Sequence, residues 1–355
     1  MANLNTLREA IDGLDDQIME LLNRRALLVQ KVGKIKTEGR QDLYVPSRER
    51  EIFERLERTN PGPFPTESVF RVFREIISAS LALEHPMRIV YLGPQATFTH
   101  GAALNLFGHS ANLNPEKSVR TVFEEVERGR AQYGVVPVEN SNEGAVTHTL
   151  DMFTESNLKI IAESYLDVSH DLLSKSGKLA EVQRIYSHPQ ALEQCRRWLE
   201  NNCPKAQLVE VSSTARAAQM VTEETHAAAI ASGAAAELYQ LKVIAAKIED
   251  NANNRTRFLV IGKKTPKPTG KDKTSIMFRF KDEPGILGRM LEPFGKRNLN
   301  LAKIESRPVK RRAWEYVFFL DIEGHLQDEA MAAAIEELRE FCKMVKLLGS
   351  YPRSR

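Results

Sequence analysis

The residues whose types and spacing point to chemistry are three cations on an apolar helical stripe and a Thr-Arg pair on a strand. Leu4, Leu7, Ile11, Leu14, Ile18, Leu21, Leu28, Val32 and Ile35 recur at helical steps, and the seam position that breaks the run is Arg25. A charge held in such a seam needs a partner or a ligand. The bland partner is a Glu on a neighbouring helix. Arg8 and Lys36 each lie one residue beyond a seam residue, Leu7 and Ile35. On one helix they stand about 42 Å apart at roughly 1.5 Å per residue, too far to grip one small ligand. An antiparallel helix from a second copy would bring Arg8 of one chain beside Arg25 and Lys36 of the other. The spacing therefore predicts a helical dimer with cation-lined cavities suited to a small anion.

Further along, polar turns follow apolar runs: Gly93-Pro94-Gln95-Ala96-Thr97-Phe98, Pro137-Val138-Glu139-Asn140-Ser141-Asn142-Glu143-Gly144, Tyr186-Ser187-His188-Pro189-Gln190, Ser212-Ser213-Thr214 and Ala231-Ser232-Gly233. Taken singly, each hydroxyl or amide reads as a helix N-cap. Taken together, helix starts at the strand ends of an α/β sheet form a cleft for an anion. The sharper signal is Asn253-Asn254-Arg255-Thr256-Arg257-Phe258-Leu259-Val260. On a strand, Thr256, Phe258 and Val260 share one face while Arg257 and Leu259 share the other.

The elements that must position these groups fall into three blocks. Helices are expected over about residues 5–38, 47–59 and 66–84. The prolines of Asn60-Pro61-Gly62-Pro63-Phe64-Pro65 separate the last two, and His85-Pro86 closes the block. From Met87 to about residue 262, strand, turn and helix patterns alternate, an α/β region. Residues 263–273 carry five lysines and two prolines without a hydrophobe, a solvated extended linker. The remainder reads as strand 275–280, helix 285–297 kinked at Pro293, strand 299–306, strand 314–322, helix 328–341 and strand 344–348. That order is a ferredoxin-like βαββαβ unit.

Composition agrees with several packed domains. At 355 residues the chain has room for two or three. With 42% apolar and 27% charged residues, disorder is excluded as the dominant state. Lys plus Arg number 50 against 47 Asp plus Glu, so neither nucleic acid nor an anionic membrane is expected as the main partner. The first residues lack the pattern of a secretion signal and no apolar run reaches 18 residues, which predicts a cytoplasmic protein. Cys195, Cys203 and Cys342 match no zinc or redox spacing and are expected to be reduced and buried. The eight histidines are scattered, and no metal site is expected.

Five elements of the first block, Leu7-Arg8-Glu9-Ala10-Ile11-Asp12, Asn23-Arg24-Arg25, Val32-Gly33-Lys34-Ile35-Lys36, Pro46-Ser47-Arg48-Glu49 and Ser80-Leu81-Ala82-Leu83-Glu84, resemble the all-helical chorismate mutases in order and spacing. The resemblance implies that Arg25 and Arg8 of the partner subunit bind the two carboxylates of chorismate. It implies that Lys36 and Glu84 address the ether oxygen, that Glu49 takes the ring hydroxyl, and that Arg48 and Ser80 complete the pocket. Val45 stands where relatives can carry an acidic residue, so a contact there must come from its backbone. Glu84 stands where some relatives use Gln. An ionised Glu only accepts, so Glu84 must carry a proton to donate to the ether oxygen, and mutase activity is expected to rise at mildly acidic pH. A Claisen rearrangement needs no nucleophile, only a folded dianion and fixed donors at the oxygen that gains charge.

The Thr-Arg-Phe run and the polar turns before it resemble prephenate dehydratase over about residues 87–262. This implies two α/β lobes around a cleft, similar to periplasmic binding proteins, with Thr256 catalytic and Asn140, Ser187, Gln194 and Arg257 in the substrate cleft. Asp282-Glu283-Pro284-Gly285-Ile286-Leu287 and Glu305-Ser306-Arg307-Pro308 resemble the amino-acid-binding ACT domain. That implies a phenylalanine site built by Gly285, Ile286 and Leu287 with Glu305, Ser306, Arg307 and Pro308, at the interface of two such domains. The expected domains are thus 1–86 (all-α mutase dimer), 87–262 (α/β dehydratase), a linker 263–273 and 274–355 (α+β ACT). The expected function is conversion of chorismate to prephenate and then to phenylpyruvate, inhibited by L-phenylalanine, in a homodimer or larger homo-oligomer without cofactor or metal. Two alternatives stay open: a mutase whose remainder only senses amino acids, and a solute-binding receptor.

Overall fold

The computed structural model describes residues 3–39, 44–84, 86–280, 283–308 and 316–354. His85, Asp282 and the expected strand start at Trp314 lie outside them. Two compact units form, Met1–Arg88 with Leu104–Asn112, and Ile89–Ala103 with Leu113–Arg355.

The first unit is helical: α1 (Leu4–Glu38), α2 (Pro46–Thr59) and α3 (Thr66–Glu84). Pro46 sits in the first turn of α2, where its missing N–H costs nothing. Asn60 closes that helix with an N–H to the Leu56 carbonyl, and the following prolines prevent its continuation. The rings of Phe53 and Phe70 meet edge to face at 5.5 Å to join α2 to α3. The nine seam residues of α1 take no part in this packing, and all remain 44–65% exposed.

After α3 the chain lays down β1 (Arg88–Leu92), α4 (Phe98–Phe107), whose end from Leu104 belongs to the first unit, β2 (Asn112–Glu116), α5 (Val119–Glu127), β3 (Tyr133–Asn140), β4 (Gly144–Ala145), α6 (Thr147–Glu155) and β5 (Lys159–Asp167). It then crosses to a second lobe, β6 (Asp171–Ser174), β7 (Arg184–Ser187), α7 (Pro189–Gln194), α8 (Arg196–Asn202), β8 (Gln207–Glu210), α9 (Thr214–Val221), β9 (Ala227–Ala231), α10 (Gly233–Tyr239) and β10 (Lys242–Ala245). β11 (Arg255–Gly262) returns to the first lobe. The first sheet has the order β2-β1-β3-β11-β5, with β4 on β3, and the second β10-β6-β9-β7-β8. The two crossings are stitched together where the Val168 N–H donates to the Asn254 carbonyl at 2.8 Å.

The last six elements are β12 (Asp272–Phe280), α11 (Ile286–Gly295), β13 (Leu301–Pro308), β14 (Tyr316–Glu323), α12 (Glu329–Phe341) and β15 (Cys342–Pro352), with sheet order β13-β14-β12-β15. Strand alternation gives this sheet two buried faces. Ile276, Phe278, Leu320 and Ile322 pack under α11 and α12, whereas Met277, Val317, Phe319 and Tyr351 join the core of the first lobe. The expected solvated linker is corrected at its end: β12 starts at Asp272, and Lys273 is buried and ion-paired. α11 ends two residues after Pro293, short of the expected residue 297. All three cysteines are unpaired, but only Cys195 is fully buried, and burial pushes each thiol pKa up. Among the described residues no helix is long and apolar enough to cross a membrane.

Candidate active sites

In the helical unit, α1 and α3 bring four of the expected groups together. Arg25 donates to the Ser80 hydroxyl, which itself donates to the Ile76 carbonyl at 2.6 Å. Burial lowers the Arg25 pKa, opposed by the charge of Glu84. One turn of α3 further on, Lys36 Nζ donates to Glu84 Oε2 at 3.1 Å, with the Glu84 side chain only 7% exposed. Gly33 allows this approach, since it is buried directly against Glu84.

The other expected mutase residues stand apart. Glu49 Oε2 accepts from Arg74 Nη1 at 2.6 Å, and Arg74 also reaches the Leu106 carbonyl. Burial raises the Glu49 pKa even against Arg74, and its Oε1 is buried without a hydrogen-bond partner. Arg48 pairs instead with Glu51 at 2.6 Å and is largely exposed. The Val45 carbonyl is taken by the N–H groups of Arg48 and Glu49. Arg8 is exposed on the far part of α1.

The cleft of the second unit lies between the two lobes, a cavity of about 590 Å³. Thr256 and Asn140 face each other across the β11/β3 ladder, and both line it. Asn140 Oδ1 accepts from the Asn142 N–H at 3.0 Å, which fixes the amide so that its NH₂ points the other way. The two hydrogens of that NH₂ go to Thr256 Oγ1 and Asn254 Oδ1, each at 2.8 Å. Asn254 then donates to Gln194 Oε1 at 3.0 Å, and His170 Nε2 lies 2.9 Å from the same oxygen. Since Gln194 Oε1 can only accept, His170 carries its proton on Nε2. Its Nδ1 is buried without a hydrogen-bond partner, and burial lowers the imidazole pKa. A continuous polar chain therefore links Thr256 to His170.

Two expected cleft residues are elsewhere. Ser187 is fully buried and spends its hydroxyl on the Ile230 carbonyl at 2.7 Å, so it holds β7 to β9 instead of facing the cleft. Arg257 points to the opposite side of the sheet from Thr256, as alternation requires. There it donates to Glu163 and Asp321 and to the Tyr351 hydroxyl. Burial alone would lower its pKa, but Tyr351, Asp321 and Glu163 hold it well above the ordinary value. No Lys or Arg is among the described residues lining the cleft, whose polar wall is made of hydroxyls, amides, the imidazoles of His148, His170 and His188 and the carboxylate of Glu143. His170 lies in no motif of the sequence, and Asn254, although inside the run that carries Thr256, has no role assigned by it. The available signal was position, since each sits where the chain crosses between lobes.

In the C-terminal domain, Gly285 takes a left-handed φ of 76° to open α11, Ile286 is buried and Leu287 is 41% exposed. On the edge strand β13, Ser306 and Pro308 face solvent while Glu305 and Arg307 are half-buried. Arg307 is turned toward the first α/β lobe, 3.8 Å from Asp151, and lines a larger cavity of about 820 Å³ that does not include Thr256.

The prephenate dehydratase family model matches residues 89–266, the type II chorismate mutase model residues 7–85 and the ACT domain model residues 274–340. A bifunctional chorismate mutase/prephenate dehydratase from Aquifex aeolicus is 51% identical over 100% of this chain and 99% of its own length. A protein of the same description from Pseudomonas aeruginosa is 44% identical over 99% of this chain and 98% of its own. The structure of a prephenate dehydratase in complex with L-Phe from Arthrobacter aurescens superposes with a TM-score of 0.70 at 36% identity, over 75% of this chain and 90% of that one. The helical unit, the two-lobed unit and the C-terminal βαββαβ sheet fall in turn within the three matched ranges, and this chain belongs to the bifunctional chorismate mutase/prephenate dehydratases of phenylalanine biosynthesis.

Proposed function

We propose that Arg25, Lys36 and Glu84 form the mutase site together with Arg8 of the partner subunit, that Thr256 serves the dehydratase, and that L-phenylalanine inhibits the dehydratase through the ACT domain, in the cytoplasm. The exposed seam supports the dimer: about 47 Å of apolar stripe on α1, at roughly 1.5 Å per residue, is left uncovered by the described residues. In the mutase, the guanidinium groups hold the carboxylates of chorismate while Lys36 and Glu84 meet the ether oxygen as its bond breaks. Fixed donors there stabilise charge that develops only in the transition state.

In the dehydratase, the bond from the ring to its carboxylate breaks as carbon dioxide leaves. The released electron pair completes the aromatic ring, and the ring C–O bond breaks with its pair on oxygen. The observation that carries the assignment is the Asn140 to Thr256 hydrogen bond. Because Oγ1 accepts from Asn140, its own proton is free to point at the departing oxygen. A Thr hydroxyl is too weak an acid to give that proton up unaided, so its part is to hydrogen-bond the leaving group. With no guanidinium in the lining, the substrate carboxylates rest on N–H groups, hydroxyls and imidazoles. Neither reaction calls on a metal or cofactor.

A coupled assay tests the whole reading. Chorismate supplied to the full chain is expected to yield phenylpyruvate, and phenylalanine to suppress its formation while leaving prephenate formation intact. Prephenate accumulating without phenylpyruvate would leave only the mutase with a sensing remainder.

A further inference from the structure

The dehydratase cleft and the ACT sheet are joined through consecutive residues on two adjacent strands. In the β3/β11 ladder Asn140 stands opposite Thr256 and Glu139 opposite Arg257. Alternation sends the first pair into the cleft and the second to the other face of the sheet. On that face every strand of the ACT sheet contributes a group. Asp321 of β14 accepts from Arg257 Nη1 at 2.5 Å, and Tyr351 of β15 accepts from Nη2 at 2.9 Å. Lys273 of β12 donates to Glu163, which also accepts from Arg257 Nε at 2.8 Å. Lys303 of β13 sits 2.9 Å from Glu139, an ion pair without hydrogen-bond alignment.

Arg257 and Lys273 balance Glu163 and Asp321, so the buried cluster is neutral and its geometry, not its net charge, is what it imposes. A planar guanidinium held on three sides fixes direction and register in a way an apolar contact cannot. The strand that carries this clamp carries Thr256 one residue earlier. We propose that Arg257, held by Asp321 of the ACT sheet and seconded by the Glu139–Lys303 pair, is a positioning residue for dehydration: the ACT domain sets where the Thr256 hydroxyl and Asn140 amide stand. This rests on the reading of Thr256 as the group that meets the departing oxygen.

The test uses the full chain carrying Asp321→Asn, Arg257→Lys, Arg257→Met or Lys303→Met, with mutase activity of the same preparation as the control for folding. None of these side chains lines the cleft, so a merely structural role would lower the amount of active enzyme and not the turnover of the folded part. Asp321→Asn is expected to lower dehydratase kcat roughly tenfold, as a misplaced catalytic group does, with KM for prephenate within about twofold. Arg257→Lys is expected to fall short of wild type and to exceed Arg257→Met. If Asp321→Asn does not fold, the more peripheral Lys303→Met is read alone, with about threefold loss of kcat expected from the weaker pair. Unchanged kcat per folded molecule in the variants that fold would overturn the proposal. Thr256→Ala assayed alongside separates the two readings. Full turnover there removes the role of Thr256 and the positioning role together, whereas loss there with unchanged kcat in the clamp variants removes only the positioning role.

Discussion

Gly33 of α1 lies against Glu84 of α3 so closely that a methyl group on it would stand 3.0 Å from the Glu84 Cγ and 3.2 Å from its Cα. The carboxylate that would have to move is the one paired with Lys36 at 3.1 Å. Gly33→Ala should favour α1 itself by about 1 kcal/mol, since Gly is a poor helix former. It is nonetheless expected to lower mutase kcat/KM tenfold or more by displacing Glu84, on the order of what a 1 Å misplacement costs. Dehydratase turnover in the same preparation should not change. Equal loss of both activities would mean general damage, and the packing explanation would fail.

Glu84 accepts from Lys36, and only a protonated carboxyl can also donate to an ether oxygen. Glu84→Gln, whose amide donates without gaining a proton, should therefore keep most of the mutase kcat/KM, whereas Glu84→Met, which cannot donate, should lower it roughly 10²-fold, the effect of deleting one preorganised donor. Equal kcat/KM in the two variants would take the donor role away from Glu84.

For Thr256 the informative replacement is Val, which keeps the branched shape and removes the hydroxyl. The loss expected in dehydratase kcat is roughly 10²- to 10³-fold, the effect of deleting one preorganised donor. Thr256→Ser should retain most of the turnover, and both variants should keep mutase activity. Comparable turnover in Val and wild type would return Thr256 to an ordinary strand residue.

The sequence made the helical block legible because periodicity and proline breaks are local signals, and α1 to α3 lie within one residue of their expected bounds. It also placed Thr256 and Arg257 on opposite faces of a strand. What it could not show was which face met the cleft and which met another domain. Arg257 was therefore expected beside the substrate, although Glu163, Asp321 and Tyr351, from distant parts of the chain, claim its guanidinium. Ser187 was misplaced for the same reason, since a buried carbonyl acceptor such as that of Ile230 leaves no local mark. β9, Ala227–Ala231, shows the limit of propensity: Ala is the best helix former, yet complete burial between β6 and β7 makes this run a strand.

A second close approach tests how the ACT sheet is seated. A Cβ on Gly349 of β15 would lie 2.2 Å from the Ile160 carbonyl oxygen of β5 and 2.9 Å from its nitrogen. Both are backbone atoms of a paired strand and cannot swing aside. Gly349→Ala is expected to destabilise the dehydratase and ACT unit by about 2 kcal/mol or more through forced separation. Urea unfolding followed by circular dichroism would show the lower midpoint, and mutase activity should outlast dehydratase activity. A midpoint equal to wild type would mean that the two sheets can part without cost.

His170 makes the stability of the dehydratase cleft depend on pH. Burial lowers its imidazole pKa below the ordinary 6.5, with the Gln194 hydrogen bond and the charges of Glu249 and Asp171 opposing that shift. In the unfolded chain the ring binds a proton more readily than in the folded one, so stability must rise with pH across this interval. The contribution is complete above the unfolded value, declines as pH falls from about 6.5 toward the lower folded value, and then levels off. Protonating Nδ1 would also place a second donor where the described residues supply no hydrogen-bond partner, which adds to the cost of the charged state. His170→Gln removes the titration, although the shorter side chain need not keep the bond to Gln194. Thermal unfolding measured from pH 7.5 to 5.5 should show a melting temperature that falls less steeply in the variant than in the wild type, even if the variant starts lower. Parallel slopes would place the acid sensitivity of this unit on other groups.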